Sequence, residues 1–133
     1  MSEVSKIIRL LESPSVEKRI AAAIVLGELK VKSPDAVDGF ITLIDSGVPV
    51  LQRHALEALT QIGSAKKVVN KAMDLLGSNV EDVRRAAAAA IRSVGDEAVP
   101  IIRARLEKSE GHERRALDAI LADVGGKDAF STL

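Results

Sequence analysis

Arginine recurs through the latter two thirds of the chain at Arg53, Arg84, Arg85, Arg92 and Arg115, with Glu57 and Asp118 interleaved at helical spacing. A guanidinium offers a planar fork of donors that matches carboxylate or phosphate, and arginine is favoured among the residues that dominate protein interfaces. The pattern therefore reads as a strip that binds an acidic peptide or an acidic patch on another protein. The same residues have a competing use. Glu81 lies four before Arg85, Arg53 four before Glu57 and Arg115 three before Asp118, spacings at which a helix closes its own ion pairs at about 0.2–0.5 kcal/mol each. Arg92 has no acidic residue three or four away on its own helix.

Other chemistry finds little support. The two histidines, His54 and His112, stand on different segments with no converging carboxylate between them, so a metal site is not expected. No serine or threonine has a histidine and an acid at motif spacing, and no glycine-rich loop of phosphate-cradling form occurs. Glu81-Asp82 and Asp96-Glu97 fall at helix starts, where the macrodipole favours negative charge. Cysteine is absent, which excludes disulfides, thiolate catalysis and cysteine-type zinc sites. The expectation is a non-enzymatic protein with no catalytic residue, cofactor or metal.

The elements that carry the strip repeat. Anchored on Leu29, Ile62, Val94 and Val124, at spacings of 33, 32 and 30, the chain shows apolar columns three, seven and eighteen residues earlier: Leu26, Leu59, Ile91, Leu121; Ala22, Ala55, Ala87, Leu117; Leu11, Ile44, Leu76, Leu106. A period of 30–35 residues marks a solenoid whose units bury their apolar faces on one another. The fold class expected is all-α, a right-handed α-solenoid of about four helical hairpins plus the start of a fifth. It forms a single domain over 1–133, with units at about 1–31, 32–63, 64–95 and 96–126.

The helix pairs fall near 3–12 with 16–30, 34–45 with 49–62, 65–77 with 79–94, and 98–108 with 111–124. Ser33-Pro34 and Ser13-Pro14 read as an N-cap followed by proline at the first helical position. Ser78 with Glu81 reads as a capping box, and Gly63, Gly95 and Gly125 as residues just past helix ends. Pro100 would sit too deep in a helix begun at Asp96, so that helix should start near Val99. Residues 127–133 read as the opening of a fifth unit or a frayed tail, and the chain as one that continues or covers its open end with a partner subunit.

Leu26-Gly27-Glu28-Leu29 after Arg19 and an alanine cluster, Val83-Arg84-Arg85-Ala86-Ala87-Ala88 and the closing Val94-Gly95 resemble HEAT repeats. In particular they resemble the short subclass named after phycobilisome lyases, over nearly the whole chain. Gly95-Asp96-Glu97-Ala98-Val99-Pro100 is similar to that subclass's turn and outer-helix opening. The resemblance implies a scaffold or adaptor that binds a protein partner along its inner helices. Residues expected on that surface are Arg19, Ala23 and Gly27, then Gln52, Arg53, Glu57 and Thr60, then Arg84, Arg85, Ala88 and Arg92, then Arg114, Arg115, Asp118 and Ala122. It also implies an alternative, a subunit or chaperone-like component of a bilin lyase. His112-Glu113 is similar to the pairs that hold iron in HEAT-type hydroxylases, but those use several pairs and here there is one.

Composition narrows the partners. The 19 basic and 19 acidic side chains cancel, and each half of the chain split after Lys66 is balanced as well, so long-range steering to a polyanion is not expected. The chain has no Trp or Tyr, and its two Phe are Phe40 and Phe130. Stacking on unpaired bases thus has no platform, and nucleic-acid binding, a further alternative, would rest on phosphate contacts alone. Phe40 shares a column with Ile7 and Ile102 and is expected in the core. No signal-peptide pattern or membrane-length apolar run occurs, which makes a cytoplasmic location the expectation.

Overall fold

The structure is a computed structural model that describes residues 2–131, with side chains described through residue 125. Among the described residues it is all-α. The helices are α1 (Glu3–Arg9), α2 (Val16–Glu28), α3 (Pro34–Asp45), α4 (Pro49–Gln61), α5 (Val69–Leu75), α6 (Glu81–Val94), α7 (Val99–Leu106) and α8 (Gly111–Ser131). Short 3-10 turns follow α1 and precede α5 and α7. They pair as four antiparallel hairpins, the repeating element of an α-solenoid. The chain divides into two compact units, Met1–Ala65 and Lys66–Leu133, each holding two hairpins.

In the first unit α2 lies against α4, and each is backed by the first helix of its own hairpin. Phe40, Leu26, Leu43, Leu56 and Leu59 fill the space between them without exposure. The expected core position of Phe40 is observed. The two inner helices meet tightly at Gly27, where a Cβ would stand 3.2 Å from Ala58 Cα and against the Gln61 side chain, so a larger residue would need its neighbours to give way. In the second unit α5 packs on α6 and α7 on α8, around Met73, Leu76, Ile91, Ile102 and Leu117. Alanines 86, 87 and 90 of α6 are buried, while Ala88 is half-buried and Ala89 exposed, so the run fills the interior on one face of the helix only.

Helix starts follow cap chemistry with two departures from expectation. Ser33 caps α3 by accepting the Ala36 N–H at 3.4 Å, with Pro34 at the first helical position. The cap of α2 is Ser15, which accepts the Lys18 N–H at 3.3 Å, not Ser13. Ser13 instead accepts the N–H of Ser15 and shapes the turn before it. Likewise Ser78 and Glu81 do not form a capping box. Val80 is the N-cap of α6, and Ser78 accepts the Val80 N–H at 3.1 Å. In both cases the serine two residues before the cap closes an i, i+2 side-chain turn, a competing local bond open to any serine near a helix start.

Helix α7 starts at Val99, as Pro100 requires. Gly63 and Gly95 adopt positive φ just past helix ends, as expected. Gly125 does not end α8, which runs on to Ser131. Phe130 and the other side chains beyond 125 lie outside the described residues.

Candidate protein-binding surface

A single column of the repeat explains part of the arginine pattern. Ten residues before the anchors stand Arg19, Gln52, Arg84 and Arg114. Each sits in the first turns of the second helix of its hairpin, and each donates to a carbonyl where the first helix of the same hairpin ends. Arg19 Nε donates to Ser13 O, Gln52 Nε2 to Ile44 O at 3.1 Å, Arg84 Nη1 to Ser78 O at 2.6 Å and Arg114 Nη1 to Leu106 O at 3.1 Å. Ile44 and Leu106 lie in the last turns of α3 and α7, whose carbonyls lack a partner within the helix, and Ser13 and Ser78 lie in the turns just beyond a helix end, so the column ties each second helix to the end of the first. Arg84 and Gln52, expected on the binding strip, are therefore tethers inside their own hairpins. The signal was present in the sequence, since the column holds a long donor in every unit, but the target is a main-chain atom that no sequence pattern displays.

The next column, one residue on, points outward: Ile20, Arg53, Arg85 and Arg115. On α4 Arg53 bonds to Glu57 at 3.4 Å, and its other Nη lies 3.1 Å from His54 Nε2. His54 is mostly buried, and its Nδ1 is 3.8 Å from the Glu57 carboxylate. Burial holds its pKa below the usual 6.5, the Arg53 charge adds to that, and Glu57 opposes it. His54 is thus neutral near pH 7. Thr60, also expected on the strip, turns its hydroxyl back to donate to Leu56 O. Ala23 and Gly27 are buried, so neither offers surface.

In the second unit a groove of about 340 Å³ lies between α6 and α8, lined by Glu81, Arg84, Arg85, Ala88, Arg92, His112 and Ala116. Ala88 and Ala116 leave room for it, because neither side chain extends past Cβ. Arg85 bonds to Glu81 at 2.8 Å as the four-residue spacing expects, yet 73% of its side chain is exposed. Arg92 finds its partner on another helix, Asp123 of α8, at 2.8 Å. Arg115 and Asp118 are exposed, and the expected ion pair between them does not form among the described residues. Ala122 is exposed on the same helix.

The pattern gave no hint of Arg105. It donates to Asn70 O at 3.1 Å and to Asp74 at 2.6 Å on α5, and lies 3.5 Å from Glu113 on α8. It clasps the two hairpins of the second unit together. None of its partners is on its own helix, so helical spacing could not reveal it.

Among the described residues no three His, Asp or Glu side chains come together as a metal site would need, and no helix is long and apolar enough to cross a membrane. Comparison with curated proteins returns no match. The family model described as HEAT repeats matches residues 4–92 and again 49–122. HEAT repeats generally mediate protein–protein interaction and are typically non-enzymatic scaffolds. With hairpins of this form and a model that matches nearly the whole chain, the protein belongs to the HEAT-repeat family.

Proposed function

We propose that the protein is a cytoplasmic adaptor or scaffold of the phycobilisome-lyase-like kind of HEAT repeat, and that it binds an acidic segment of a partner protein along its second helices. The groove between α6 and α8 carries this reading. Its lining includes three arginines against one glutamate, with a small-residue floor of Ala88 and Ala116. A carboxylate entering it meets the exposed guanidinium of Arg85, which bonds to Glu81 at 2.8 Å. In the first unit the Arg53–Glu57 pair on α4 is a separate polar feature of that unit's own surface.

The absence of large aromatic anchors on this surface sets the expected strength at about micromolar for a single segment. The test is fluorescence anisotropy with a labelled Asp/Glu-rich peptide and a Lys-rich control. The acidic peptide should bind the wild type, and Arg85→Glu/Arg92→Glu should weaken it at least about tenfold while circular dichroism is unchanged. Equal binding by the variant, or preference for the basic peptide, would overturn the proposal. Arg84 is left intact because its loss would disturb the hairpin.

A further inference from the structure

We infer that the free face of the first hairpin is an interface with a second copy of this chain, in which two α2 helices lie antiparallel across a two-fold axis. In the first unit α4 settles onto α2 through Ala58, which is buried against Gly27. The same column in α8 holds Ile120, also buried. In α2 that column holds Val25, which is 38% exposed. Around it Lys18, Ala21 and Glu28, all exposed, complete one stripe at spacings of three, four and three.

Exposed large hydrophobics are commonest in the first hairpin, with Val25 the one on the stripe itself. Of the seven large hydrophobic side chains exposed among the described residues, Leu10, Val16, Ile24, Val25 and Leu29 belong to the first hairpin, and Leu29 is 58% exposed. Charge then selects the occupant. The stripe reads Lys18, Ala21, Val25, Glu28, and a two-fold axis midway between Ala21 and Val25 sets Lys18 opposite Glu28 of the second copy, twice, with Ala21 opposite Val25 at the centre. A parallel arrangement would set lysine on lysine. Neither Lys18 nor Glu28 has an ion pair among the described residues, so both are available, and such a self-complementary patch is what an isologous contact requires.

Sedimentation equilibrium of the full chain reads this directly. The wild type should self-associate to dimers, and Lys18→Glu or Glu28→Lys alone should each raise the dissociation constant at least about tenfold, because like charges then face each other twice. The double exchange Lys18→Glu/Glu28→Lys should restore the wild-type constant to within about threefold, since it rebuilds the same pairs in reverse. Both positions are exposed, so circular dichroism should be the same for all four proteins. A wild type that stays monomeric up to about 1 mM would overturn the inference, as would a dimer indifferent to either single reversal or one that the double exchange fails to rescue.

Discussion

Arg92 on α6 and Asp123 on α8 meet at 2.8 Å across 31 residues of chain, joining neighbouring hairpins by side chains that are 43% and 60% exposed. Solvent screens such a pair, and exposed ion pairs contribute about 0.2–1 kcal/mol. A double-mutant cycle with Arg92→Ala and Asp123→Ala, read by urea unfolding, should give a coupling inside that range. A coupling above about 2 kcal/mol would show a pair better shielded than its exposure indicates.

The tether column should behave otherwise. Gln52 is buried, and its loss leaves Ile44 O without its side-chain donor, at about 1–3 kcal/mol. Gln52→Ala should therefore lower stability by about that amount, and Arg84→Ala by a comparable one. Arg85→Ala, one residue along, should change it by about 0.5 kcal/mol or less. Urea unfolding of the three variants in parallel separates the column that builds the hairpin from the one that faces out.

His54 makes stability depend on pH in a defined direction. Its folded pKa is lowered, chiefly by burial, so the unfolded state takes up the proton first as the solution is acidified. The contribution is complete above pH 6.5 and is lost as pH falls below it toward the folded value. Unfolding of the wild type should show this loss between neutral and mildly acidic pH, and His54→Gln should flatten the slope over the same interval.

Gly27 of α2 packs against Ala58 of α4. Leucine there would drive its Cβ and everything beyond it into the Ala58 backbone, and overpacking of this kind costs about 1–3 kcal/mol. Gly27→Leu should lower the melting temperature, and it should do so despite leucine's better helix propensity, which opposes the loss by about 1 kcal/mol.

Much of this was readable from residue order. The apolar columns located every hairpin, Pro100 fixed the start of α7, and the column shared by Ile7, Phe40 and Ile102 placed the one described aromatic ring in the core. What the order of residues did not display were bonds to main-chain atoms and bonds between hairpins. Arg84 and Arg85 are adjacent and identical in kind, yet one turns inward to a carbonyl and the other outward to solvent. Arg92 found Asp123, and Arg105 found Asp74, only because stacking brought distant helices together. The serines at 13 and 78 misled because a hydroxyl two residues before a cap serves a turn as readily as it serves a helix.

The tethers from Arg19, Gln52, Arg84 and Arg114 reach back only six or eight residues. Each repeat therefore carries its own clasp, and a stretch of gene encoding one hairpin can be copied or deleted without stranding half of a bond elsewhere. An array built this way can change length during evolution one clasped unit at a time, while the outward column beside the clasp, isoleucine in one copy and arginine in three, is left open to acquire new partners.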